Sequence, residues 1–189
     1  MRNFKKYTPF VNEVKELTAY LLSNIDIKTF PIGEGLPQAL EQYGRYTREE
    51  IFTIFGRQTA EKRMQGSVSG VFNIEERNTE LLFVTLNKSD KDFSVSTMYD
   101  DYVVSERQFH WKSKNTDTHE GRGKRYVEQA INKKKFLLFV RADKTDGFNN
   151  TCPFYCFGLV DYISSRDDKP MSIDWHMHHP ILPQFIKAV

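Results

Sequence analysis

From residue 67 onward, seven short apolar or alternating runs are each closed off by charged or turn-forming stretches. The runs cover 67–74, 81–86, 102–104, 109–113, 136–141, 154–162 and 171–178. Their length and content suit strands, and connections such as 75–79, 145–150 and 164–170 suit turns. One short helix is predicted between two of the strands, over 126–132. Seven strands with few helices predict a curled antiparallel sheet or barrel flanked by N-terminal helices, an α+β fold.

The part before residue 67 has a different period. Thr8 and Pro9 suit a helix start, and Phe10, Val14, Leu17, Leu21 and Ile25 recur on one face at helical spacing. Residues 27–37 hold two prolines and two glycines and predict a loop; a short helix is predicted over 36–43. Thr47-Arg48-Glu49-Glu50 has the spacing of a capping box, ahead of Ile51, Phe52, Ile54 and Phe55, with Gly56 as the stop. The apolar faces of these helices are expected to pack on the strand-forming region. Hydrophobic residues at 39% and aromatics at 14% are ample for a core in 189 residues. The expected division is an amphipathic helix and linker at 1–35 and a barrel-like recognition domain at 36–189.

Charge does not announce a nucleic-acid binder, since 27 basic and 25 acidic side chains leave a net charge of only +2. A binding face must come from local segregation, as in Lys88 with Lys91, Lys112 with Lys114, Arg122 to Arg125, and Lys133 to Lys135. No apolar run approaches a membrane span and no secretory signal pattern opens the chain. Cys152 and Cys156 share one face of an expected strand, about 13 Å apart, too far for a disulfide. Reduced thiols in a cytoplasmic protein are expected.

Enzyme signatures are missing. The sequence has no phosphate-binding Walker loop, dinucleotide fingerprint, HExxH, CxxC pair or GxSxG. Asp174, His176 and His178 fall on one strand face, but Ile173, Trp175 and Met177 take the inward face, which leaves the histidines at the surface. No metal, no cofactor and no catalytic residue is expected.

The segment 82–115 combines an apolar strand with aromatics, acids and cations. Rings can hold a base by stacking, a carboxylate can accept from its exocyclic amine, and lysines can pair with phosphates. Such a mixture suits a pocket for one extruded nucleotide. It also suits a half-buried β-meander whose aromatics are core and whose charges are solvated.

Several ordered motifs carry a family resemblance. They are Tyr46-Thr47-Arg48-Glu49-Glu50-Ile51, Phe83-Val84-Thr85-Leu86-Asn87-Lys88-Ser89, Tyr99 with Asp101-Tyr102, and Phe109-His110-Trp111 with Ser113. Residues 137–141, Gly158 with Val160-Asp161-Tyr162, and Pro170-Met171-Ser172-Ile173 continue it. Over roughly 36–180 the chain resembles a domain family first named only as of unknown function. That family occurs at the C-terminus of type IV, modification-dependent restriction enzymes of the SauUSI kind, behind a phospholipase-D-type nuclease and a superfamily II helicase. The resemblance implies a fold similar to the SET- and RING-associated (SRA) and PUA-like barrels, and recognition of modified cytosine. Nuclease and helicase segments are not in this sequence, so cleavage and translocation are not carried over.

On this resemblance, Tyr99, Tyr102, Phe109 and Trp111 compete for the stacking positions, and Asp101, or its neighbour Asp100, accepts from the cytosine N4 amine, a donor thymine lacks. Phe109 and Trp111 face one side of their strand and His110 the other. Either the pair lines the pocket, or it is core and His110 points to the ligand. Ser113 is a candidate for the base edge or sugar. Lys88, Lys91, Arg122, Lys124 and Arg125 are the expected phosphate contacts, with Gly121 and Gly123 opening backbone N–H groups to an anion. The expected partner is double-stranded DNA carrying 5-methyl- or 5-hydroxymethylcytosine, read by base flipping, with nuclease and helicase domains in the same chain or complex. The alternatives are a coupling domain that docks a helicase or nuclease, and a reader of modified RNA bases.

Overall fold

The computed structural model describes residues 8–23, 27–33, 35–59, 61–62, 70–88 and 101–186. A helix, α1 (Thr8–Ser23), precedes a two-stranded ribbon of β1 (Phe30–Pro31) and β2 (Glu41–Gln42). Next come β3 (Arg45–Tyr46), α2 (Arg48–Ile54), β4 (Val71–Ile74), β5 (Thr79–Thr85), β6 (Tyr102–Ser105) and β7 (Gln108–Lys112). Two one-turn helices, α3 (Lys124–Val127) and α4 (Gln129–Asn132), lead to β8 (Lys135–Arg141), β9 (Phe154–Arg166) and β10 (Ser172–Met177). All seven expected strands are present, with shifted ends.

The main sheet has eight strands in the order β4-β5-β8-β9-β10-β7-β6, with β3 added to the start of β9. Every pairing is antiparallel except one: β5 and β8 run parallel, Thr79 opposite Lys135 through Thr85 opposite Arg141. The antiparallel expectation is corrected at the second and third strands of the path, where the chain from β5 to β8 is long enough for a crossover. No closed barrel is found among the described residues, where β4 and β6 end the strand path.

Two cores lie on opposite faces of the central strands. Leu82, Val84, Phe136, Leu138 and Val140 join Phe109, Trp111, Tyr126, Ile173 and Trp175 in the first. Leu81, Phe83, Leu137 and Phe139 alternate with them and join Ile51, Phe52, Phe55 and Phe154 in the second. β5 and β8 are therefore covered on both sides, which is why they read as continuous apolar runs. Each large side chain so buried contributes about 1.5–3 kcal/mol.

α2 closes the second face. Thr47 Oγ1 accepts from Glu50 N at 3.2 Å and the Glu50 carboxylate accepts from Thr47 N at 2.7 Å, the predicted capping box. Gly56 turns the chain with φ of +69°. By contrast α1 leaves Phe10, Val14 and Leu17 of the predicted stripe, and Tyr20 beside them, between 45% and 66% exposed, so these three do not pack as expected; the Leu21 side chain and Ile25 lie outside the described residues.

The helix predicted over 36–43 is a turn into β2 instead. Leu36 and Leu40 bury in the second core, but Tyr43 takes φ of +63° and Gln42 sends its amide to Phe157 O at 2.9 Å, so the chain turns towards the sheet. The helix predicted over 126–132 breaks at Glu128, because the buried Gln129 amide bonds the strand β9: it donates to Val160 O and accepts from Tyr162 N.

Candidate functional site

Lys88 and Asp101 flank residues 89–100; the candidates Lys91, Tyr99 and Asp100 lie outside the described residues. The Lys88 ammonium meets Asp101 Oδ2 at 2.6 Å, with the two side chains 9% and 4% exposed. Asp101 Oδ1 accepts from Lys112 N at 2.9 Å. Burial pushes the Asp101 carboxyl above the ordinary aspartate range, and Lys88 opposes that rise. An ionised carboxylate offers about four acceptor positions, so these two bonds leave capacity for another donor.

Register builds a row that begins at the next residue. Tyr102 pairs with His110, His110 with Asp174 and Asp174 with Ser164, which places four side chains in one row across β6, β7, β10 and β9. The Tyr102 ring stacks on His110, centroids 4.8 Å apart and planes 29° apart, and remains 46% exposed. His110 Nδ1 lies 2.7 Å from Asp174 Oδ1, whose other oxygen accepts from Ser164 at 3.2 Å. Facing a carboxylate, Nδ1 is the ring nitrogen placed to donate.

Phe109 and Trp111 lie on the other side of β7, 0% and 4% exposed. Trp111 packs edge-on to Tyr126 at 5.4 Å and beside Trp175 at 6.3 Å. They are core residues and not the pocket walls they were expected to be, because the first core covers that face of β7. Of the two sequence alternatives, the structure has the pair as core, with His110 on the other face of β7. Ser113 is also corrected: 1% exposed, its hydroxyl donates to Lys114 O and accepts from Met171 N, bracing two loops.

The cations separate as well. Arg125 is held by Glu80, a carboxylate 2% exposed that also meets Lys134, and its guanidinium lies 4.4 Å over Tyr126. It neutralises a buried charge and is not positioned as a phosphate contact. Lys124 is 60% exposed beside Glu128, and Arg122 is exposed. The glycines form no anion cradle: the N–H groups of Gly121 and Gly123 both donate to Thr118 O, and a Cβ at Gly123 would strike Met171.

Sequence reasoning missed one cluster. His119 Nε2 lies 2.7 Å from Ser165 Oγ, while its Nδ1 and backbone N meet Asp168 Oδ1 at 3.0 and 2.8 Å. Tyr162 OH adds a further bond to Ser165 at 2.7 Å. The order hydroxyl–imidazole–carboxylate is that of a nucleophile relay. Here Ser165 sits inside β9 opposite Ile173 with its oxygen doubly engaged, so the cluster braces the turn 167–170. Its members are too dispersed in the chain for spacing to reveal them. His176 and His178 are at the surface as expected, and no group of three metal-ligating side chains occurs among the described residues. An apolar depression of about 330 Å³ over α2 is lined by Tyr46, Glu49, Glu50, Thr53 and Ile54. Its charged lining is wholly acidic, which disfavours a phosphate there.

Among the described residues no helix is long and apolar enough to cross a membrane. No curated protein matches the chain. A family model described as a domain of unknown function (DUF3427) matches residues 40–188, the whole of the sheet and the site built on it, and the chain belongs to that family.

Proposed function

We propose that this domain reads modified cytosine in duplex DNA by taking the base out of the stack. The observation that carries the reading is the pairing of a buried carboxylate that retains acceptor capacity, Asp101, with the exposed Tyr102 ring next to it. Tyr102, backed by His110, offers a flat face to the base. Asp101 accepts from the N4 amine, and the Lys88 ammonium beside it favours the ionised carboxylate against the effect of burial. Arg122 and Lys124 supply phosphate contacts. The wider context is modification-dependent restriction, with nuclease and helicase supplied by the same protein or a partner.

Extruding a base costs a few kcal/mol, which stacking and phosphate contacts must offset. A C5 methyl adds only about 1 kcal/mol, so preference over plain cytosine is expected to be about fivefold. The test is a titration of matched duplexes with and without 5-methylcytosine at fixed salt, with a methylated RNA arm. Equal affinity for both duplexes removes the reading, and preference for the RNA transfers it to RNA. Tyr102→Ala should weaken methylated-duplex binding about tenfold. Lys124→Ala should weaken both duplexes alike and flatten the salt dependence.

A second reading, a docking domain for a helicase or nuclease, has its own support in the exposed stripe of α1, which precedes the family-matched residues. A chain that ignores DNA yet binds such an enzyme directly would favour it.

A further inference from the structure

The connection from β8 to β9 carries Phe148, at 89% the most exposed large apolar side chain among the described residues. The loop beneath it is tightly bonded. Asp146 Oδ1 accepts from Phe148 N at 2.9 Å and Asn150 N at 2.8 Å, and Oδ2 accepts from the Asn150 amide at 3.0 Å. Asp146 N donates to Asn150 O, Asn149 N donates to Asp146 O, and Thr145 bridges to Thr151. Asn149 takes φ of +66°, which sharpens the tip. Such a loop holds an apolar ring in water at little further ordering cost when something covers it.

Its root lies where the candidate site begins. Leu86 N donates to Arg141 O, Asn87 N donates to Ala142 O at 2.8 Å, and the Asn87 amide meets Asp143 Oδ1 at 3.0 Å. The next residue after Asn87 is Lys88, the partner of Asp101. Both acids of the loop are exposed and engaged in bonds of the loop and its root, Asp143 with Asn87 and Asp146 with the tip.

We propose that Phe148 is a wedge that enters the base stack at the step from which the cytosine is extruded. This deepens the base-reading proposal and rests on it. A flat ring between neighbouring base pairs replaces part of the stacking lost when a base leaves, and apolar wedges at base steps are a recurring device of proteins that distort DNA. Asn149 and Asn150 flank the ring and can bond the edges of the pairs on either side.

The experiment compares wild type, Phe148→Ala and Phe148→Trp on two methylated duplexes: one fully paired, the other with the methylcytosine opposite an abasic site and so already loosened. A 2-aminopurine beside the methylcytosine reports unstacking. Phe148→Ala is expected to lose about tenfold in affinity for the paired duplex and most of the fluorescence rise, while changing less than about threefold on the loosened one. Phe148→Trp should retain both signals. Wild type that prefers methylated duplex while Phe148→Ala matches it on both DNAs overturns the wedge and leaves base reading intact. Wild type that shows no preference for methylated DNA sinks both. The side chain is exposed, so circular dichroism of the variant should match wild type.

Discussion

Asp101 and Asp146 show how placement alone separates two aspartates. Burial raises the first, with Lys88 opposing, while bonds from the Asn150 amide and backbone hold the second below the ordinary range. For Asp101 the folded state holds its proton more tightly than the unfolded chain does. Its contribution to stability is therefore full below the ordinary aspartate value, about 4, and fades as pH rises through its elevated folded value. For Asp146 the sign reverses: the contribution is present above that value and lost as pH falls through the lowered one. Carboxyl-carbon NMR should resolve Asp101 titrating at higher pH than Asp146; coincident midpoints would refute the assignment. At this scale the sequence was half legible. Alternation separated His110 from Phe109 and Trp111, but period alone cannot say which face of β7 meets a core, because both faces carry rings. Ser113 and Arg125 were misjudged for a related reason, since their partners Met171 and Glu80 are remote in the chain.

Among elements, α2 was the most readable because its signals are local. Thr47, Glu50 and Gly56 supply start and stop within ten residues, and the apolar face follows directly. Thr47→Ala removes one capping acceptor and should lower unfolding stability by about 1 kcal/mol in urea melts. A loss below about 0.3 kcal/mol would mean the cap is redundant with tertiary packing. Where tertiary bonds compete with local pattern, the reading failed. The amide side chains of Gln42 and Gln129 reach into β9, and each ends a helix that spacing had favoured.

For the whole molecule, strand number was legible and strand partnership was not. Apolar runs announce strands singly, whereas direction and order depend on pairs distant in sequence, so the parallel pair β5–β8 and the lack of barrel closure among the described residues had no local trace. The exposure of Phe10, Val14 and Leu17 on α1 is likewise a property of the assembled chain. Deleting residues 1–26 should change the stability of the sheet domain by less than about 1 kcal/mol, because the exposed stripe contributes little burial. Loss of cooperative unfolding in the truncated protein would show that α1 has a hidden structural partner. The parallel pair also sets a schedule for synthesis. Each residue of β5 waits for a mate 56 positions later, Thr79 for Lys135. While the ribosome makes that stretch, Leu81 to Val84 have emerged with nothing to zip against on one flank. The nascent chain is thus most in need of a holding chaperone while residues between β5 and β8 are being made, and a stall there would be costlier than one after β8 has emerged.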